Sequence, residues 1–232
     1  MLADVGLSTN PEAMIANFGS QVDVVVGYFG DSAPEWIQLL GRVPVVELDP
    51  VGPPERGAVL IDPAAAIEEL AEHFVTTGVG YPAILDSSWP DQPSTRSDLL
   101  RAAFERRGYL PQYFLVEEAT AESAAKRTTE VLSGRRRLDA IVTFNDLMAI
   151  GTLNACIRAG VDVPGRMRVV GVDGLSIGRY VTPTLTTLDV DLDAVGRNAV
   201  ELAVGISSGA IPPSGPEAVR RVEHRLLLRE SA

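Results

Sequence analysis

Asp173 closes the apolar run "MRVVGVD", and Asn145-Asp146 directly follow the apolar run "LDAIVTF". Other apolar runs end in similar residues. "VDVVVGYF" reaches Tyr28-Phe29, "VPVVELD" ends in Asp49, "AVLID" ends in Asp62, and "YPAILD" leads into Asp86-Ser87-Ser88-Trp89. Carboxylates and amides take hydrogen bonds from hydroxyl groups, and aromatic rings stack on apolar faces. Gathered at one edge, they have the chemistry of a polar small-molecule site. Their competing duty is helix capping, because Asn and Asp are favoured N-caps. One of Asn145 and Asp146 is expected to cap the next helix, leaving the other to point into the cleft. Asp62 is as well suited to capping a helix that opens at Pro63 as to touching ligand. Asp173 is followed by Gly174 and no strong helix, so ligand contact is its better role.

Reaction chemistry is not indicated. No Gly-rich phosphate cradle and no G-x-G-x-x-G follows a strand. His73, His224 and Cys156 are too few and too far apart for a metal-ligand pattern. Cys156 is the single cysteine, so no internal disulfide can form, and it lies in no nucleophile motif. Asp189 and Asp191 are close in sequence, a weak sign of acid–base work without a pocket. The expectation is a binding protein with no catalysis, no metal and no cofactor.

The elements that must position these residues alternate. Nine short β-branched runs are separated by helical stretches at 11–20, 63–77, 94–107, 120–132, 146–159 and 191–205. Asn10 with Pro11 marks one helix start, and Gly160 with Pro164 marks one helix end. Several strand runs are apolar throughout, as parallel strands covered on both faces require. The predicted fold class is therefore α/β with parallel sheets. In such sheets ligands bind beyond the carboxyl ends of the strands, where the polar residues above collect. The loops "VGPPERG" and "GAIPPSGPE" read as surface loops or crossings between lobes.

The chain has 232 residues and a net charge of −11, which opposes nucleic-acid binding by the chain as a whole. Arg135-Arg136-Arg137 is too short and isolated to change this, and reads as a solvated helix end. No apolar run nears the roughly 20 residues of a membrane span, and no secretory leader is visible at the N-terminus. A cytoplasmic location with no membrane partner is expected.

The stretch "TFNDLMAIGTLNACIRAGVDVPGRMRVVGVDG" resembles the effector-binding core of the lactose-repressor/galactose-repressor (LacI/GalR) family. "TPTLTTLDVD" (Thr182–Asp191) is similar to that family's crossover, "HRLLLRES" (His224–Ser231) to its terminal motif, and "RSDLLRAAF" (Arg96–Phe104) to one of its helices. The resemblance covers essentially the whole chain and is most specific over residues 141–191. It implies a two-lobed periplasmic-binding-protein-like fold with a ligand cleft between the lobes. The first lobe would take residues 1–61 and 189–209, and the second 62–188 and 217–232.

The resemblance implies an effector-sensing core of a transcriptional regulator. Its ligand would be a sugar or nucleobase-like metabolite, and it would act as a homodimer. Operator DNA would be bound only through a helix-turn-helix headpiece absent from this chain. By the same resemblance Asp173, Asn145, Arg96 and Asp62 bind ligand, Asp62 from a lobe crossing. Asp49, Tyr28 and Trp89 join them by their strand-end position. The chain departs from the family pattern in several places. Leu99-Leu100 stand where the family has Gly-Phe, and Ala119 where it often has an aromatic. Met1–Leu7 matches the family's second strand and Val22–Val26 its third, so the first strand and helix of the first lobe are expected to be missing. The alternative reading is a solute-binding protein of a transport system on the same fold.

Overall fold

A computed structural model describes residues 10–30, 33–87, 94–134 and 136–232; Met1–Leu7, Trp89 and Arg135 lie outside them. The elements run α1 (Pro11–Phe18), β1 (Val25–Gly27), α2 (Ala33–Leu40), β2 (Val45–Leu48), β3 (Gly57–Asp62), α3 (Ala64–Thr76), β4 (Pro82–Asp86), α4 (Thr95–Arg106) and β5 (Gln112–Leu115). They continue with α5 (Ala121–Ser133), β6 (Ala140–Thr143), α6 (Asp146–Arg158), β7 (Arg168–Asp173), β8 (Thr186–Val190), α7 (Leu192–Ser207) and β9 (Val219–Leu227). Short 3₁₀ turns occupy Ser176–Arg179 and Pro216–Ala218. The chain forms two compact units. Unit 1 takes Met1–Asp62 and Asp191–Val222, and unit 2 takes Pro63–Val190 and Glu223–Ala232.

Unit 1 holds the parallel strands β1-β2-β3, with Val25 opposite Val45 and Val46 opposite Gly57. Helix α7 buries Val195, Ala199, Leu202, Ala203 and Ile206, spaced as one helical face. It packs along all three strands. A smaller apolar cluster joins Ile15 of α1, Leu40 of α2 and Val45 of β2, with Trp36 and Ile37 packed against it. The sequence indicates no helix at α2. It is only eight residues long with Pro34 in its first turn, but Trp36, Ile37 and Leu40 give it an apolar face. The strand expected over Val22–Phe29 shrinks to three residues at Val25–Gly27.

Unit 2 orders its strands β9-β8-β7-β6-β4-β5, parallel except for β9 against β8. Alternate residues of each strand enter opposite cores. Ile84, Ala140, Val142, Val170 and Val172 pack under α3 and α4 with Phe74, Leu100 and Phe104. Ala83, Leu85, Ile141 and Val169 pack under α5 and α6 with Met148, Leu153 and Cys156. These are strands covered on both faces, as their unbroken apolar sequences predict. The terminal Arg229-Glu230-Ser231 straps this sheet. Ser231 Oγ donates to Val169 O at 2.6 Å and accepts from Thr186 N at 2.8 Å, and Arg229 Nη1 donates to Leu185 O at 2.7 Å.

The α5–α6 contact has one strict requirement. A Cβ on Gly151 would lie 2.0 Å from the backbone oxygen of Ala121. Neither backbone can yield without moving a helix, so Gly151→Ala should cost about 1–3 kcal/mol or more. A denaturant midpoint lowered at constant slope would show it. Among the described residues no helix is long and apolar enough to cross a membrane.

Candidate functional site

The carboxyl edge of unit 2 is assembled by strand register. Leu85 pairs with Thr143, and Ile141 and Val142 pair with Val169 and Val170. Asp173 pairs with Asp189. This order sets Asp86, Phe144-Asn145, Asp173 and Asp189 at the ends of β4, β6, β7 and β8 in turn. Asp86 is fully buried and accepts four hydrogen bonds. They come from Ser87 N (2.8 Å), Ser94 N (3.0 Å), Ser94 Oγ (3.2 Å) and the Tyr113 hydroxyl (2.6 Å). Ser94 in turn caps α4, its Oγ accepting from Ser97 N. The strand-end carboxylate thus fixes the start of the helix that carries Arg96.

Arg96 lies in the first turn of α4. Its Nη1 donates to Phe144 O at 2.6 Å, and its guanidinium carbon sits 5.1 Å from the Phe144 ring centroid. One edge of the planar fork is thereby held, and among the described residues its remaining donors have no hydrogen-bond partner. Asp173 lies in the electrostatic field of that guanidinium. Burial pushes the Asp173 carboxyl above the ordinary carboxylate range, and Arg96 holds part of the rise back. Asp173 has φ 105, uncommon for a residue with a side chain. Among the described residues its carboxylate makes no ion pair within 4.0 Å and accepts no hydrogen bond. It is thus a half-buried carboxyl with no hydrogen-bond partner among the described residues, a group that a donor would satisfy.

Asn145 and Asp146 divide their duties differently from the expectation. Asn145 is the N-cap of α6, its Oδ1 accepting from Met148 N at 2.8 Å, and its Nδ2 donates to Ala119 O at 3.3 Å. A second amide hydrogen of Asn145 is left for another acceptor. At position 119 the structure therefore uses the backbone carbonyl. Asp146, the residue thereby left to point into the cleft, does not do so, because its side chain turns inward and is fully buried. Its Oδ2 accepts from Leu175 N at 2.6 Å and its Oδ1 from Thr187 Oγ1 at 2.7 Å.

Burial pushes Asp146 up to about 6; the Thr187 and Leu175 hydrogen bonds and Arg229 oppose the rise, and the Asp173 charge adds to it. A carboxyl whose folded pKa exceeds its unfolded value of about 3.9 binds its proton more tightly when folded. Its contribution to stability is then full below about pH 4 and is lost as pH rises toward 6, by about 2–3 kcal/mol in total. Asp146→Asn should remove this dependence. Urea unfolding of both proteins at steps between pH 4 and 7 should show their stability difference growing in favour of the variant.

The other predicted residues fall in unit 1. Asp49 ends β2 at φ 47, and its Oδ1 accepts from Ile61 N at 3.4 Å. Asp62 ends β3 and ion-pairs with Arg221; the cap position of α3 is Pro63, which makes no side-chain cap bond. Tyr28 follows β1 and is 60% exposed. Trp89 falls outside the described residues. The structure thus brings Asp173, Asn145 and Arg96 to one edge of unit 2. It adds Phe144, Asp86, Asp146 and Thr187, which the sequence did not single out as a set. Phe144 immediately precedes Asn145, so its position was available as a signal. Thr187 has no signature beyond lying in a strand.

Residues 71–232 match the family described as periplasmic binding protein-like domain. The HTH-type transcriptional regulator GalR of Escherichia coli (strain K12) is 34% identical over 98 residues, which cover 40% of this chain and 29% of that regulator. The lactose operon repressor of Rhizobium radiobacter is 36% identical over 83 residues, 36% of this chain and 74% of the repressor. The crystal structure of a LacI family transcriptional regulator from Arthrobacter sp. FB24, in complex with lactose, is similar over 100% of this chain and 87% of that one. Its TM-score is 0.89 at 32% identity. The match to GalR thus spans less than a third of that regulator, whereas the match to the lactose complex spans 87% of that chain. This chain belongs to the periplasmic-binding-protein-like family and, within it, to the LacI/GalR regulators, whose core region it carries.

Proposed function

We propose that this chain senses a small polar effector, a sugar or related metabolite, at the carboxyl edge of unit 2, and that it binds without catalysing a reaction. In the whole regulator the effector would alter operator binding through a helix-turn-helix headpiece, with the core acting as a homodimer. The observation that carries this reading is the unsatisfied Asp173 carboxylate in the field of Arg96. A hydroxyl can donate to Asp173 and accept from the free side of the guanidinium. The Phe144 ring and the second amide hydrogen of Asn145 lie at the same edge. A relative whose crystal structure holds lactose supports the sugar class.

The test is a chimera of this chain behind the helix-turn-helix headpiece of a galactose repressor, scored on that repressor's operator. Operator occupancy should change on adding one of a panel of mono- and disaccharides, and Asp173→Ala should abolish the response. Operator occupancy indifferent to every sugar, or a response that survives Asp173→Ala, would count against the proposal.

A further inference from the structure

The side chain least accounted for by ligand contact or capping is Asp146. It is a fully buried carboxylate at the start of α6; one oxygen is spent on the segment that follows Asp173 and the other on Thr187 of β8. Leu175 N donates to one oxygen. Thr187 Oγ1 donates to the other and itself accepts from Gly174 N at 3.3 Å. Two successive amides after Asp173 are therefore tied to Asp146, one directly and one through Thr187. Asp173 itself holds φ 105, a backbone conformation that a residue with a Cβ keeps only when its surroundings enforce it. The sheet is shaped to admit the carboxylate. A Cβ on Gly171 would lie 2.1 Å from Asp146 Oδ1, so this strand position has to lack a side chain.

We infer that Asp146 is a positioning residue, which locks the turn at Asp173–Leu175 so that the Asp173 carboxylate is presented to ligand. An acceptor-only group suits the task. Its two oxygens can take both donors at once, where an uncharged apolar residue would leave the Leu175 N–H without this acceptor. The inference rests on the proposed ligand role of Asp173, but its geometric half can be read without any ligand.

The experiment compares the whole chain with Asp146→Ala and Asp146→Asn by amide hydrogen exchange and by lactose titration. In Asp146→Ala the Gly174 and Leu175 amides should exchange at least about tenfold faster, while the β4 amides Ala83–Leu85 stay within about twofold of wild type. Lactose affinity should fall at least about tenfold in Asp146→Ala and by no more than about threefold in Asp146→Asn, whose Oδ1 can still accept from Leu175 N. Unchanged Gly174 and Leu175 exchange would overturn the inference. So would equal acceleration of the β4 amides, which marks a residue that only stabilises the fold, or wild-type lactose affinity in Asp146→Ala. If Asp146→Ala does not fold, the isosteric Thr187→Val takes its place, and the Gly174 amide should then accelerate while the β4 amides do not. Should lactose bind Asp173→Ala as well as wild type, the ligand reading falls; whether or not lactose binds, the exchange rates still decide the positioning.

Discussion

Asp173→Ala is expected to lose effector binding by about two to four orders of magnitude, because two charge-assisted hydrogen bonds to hydroxyls are worth roughly 1.5–3 kcal/mol each. The same variant should be no less stable than wild type. Among the described residues the Asp173 carboxyl makes no hydrogen bond and no ion pair within 4.0 Å, and burial already holds it above the ordinary range. Its loss also relieves Asp146, whose own rise it reinforces. Binding energy given up while folding energy is kept is what a group retained for ligand should show. Calorimetric titration and thermal unfolding of the same preparations would measure both. A variant that is markedly less stable and binds as before would mean that Asp173 serves the fold instead.

Phe104→Ala is expected to cost about 3–5 kcal/mol, a large share of the roughly 5–15 kcal/mol that holds a domain together. Phe104 is fully buried between α4 and the sheet. It stacks on Phe74 of α3 with ring centroids 5.6 Å apart, and it meets Tyr109 edge-on at 6.1 Å. Truncation removes the ring and leaves a cavity lined by two other rings, which cannot collapse without moving α3 against α4. The consequence reaches the site, because α4 also carries Arg96. A urea midpoint lowered by the corresponding amount would confirm the magnitude. A loss under about 1 kcal/mol would show that the Phe74 and Tyr109 rings close the gap.

The strands of unit 2 were legible because burial on both faces leaves an unmistakable run of apolar residues, as in "AIVT" of β6. Helix ends were legible where a side chain caps them, as Asn10, Thr120 and Asn145 do. Helix α2 was not, since eight residues with a proline at the second position give too short a period to stand out. At the site, a strand-end Asp predicts polarity but not direction. Asp86, Asp146 and Asp173 share that signature, yet the first two are buried acceptors of protein donors, whereas the Asp173 carboxyl has no such donor among the described residues. Direction is set by partners such as Ser94, Thr187 and the Leu175 amide, which lie 8, 41 and 29 residues away in the chain. No local pattern records such pairings. The Leu99-Leu100 departure from the family pattern has a plain structural reading, with Leu100 buried in the core and Leu99 packed against it.

The central claim, that a small polar effector binds at the carboxyl edge of unit 2, is tested most directly by amide chemical-shift mapping of the labelled chain. Sugars, polyols and nucleobases would be titrated in turn. The account predicts that at least one sugar moves the amides of Ser94–Ser97, Phe144–Asp146 and Asp173–Leu175 more than any others. Largest shifts elsewhere in unit 2, or no shift with any of these compounds, would contradict it.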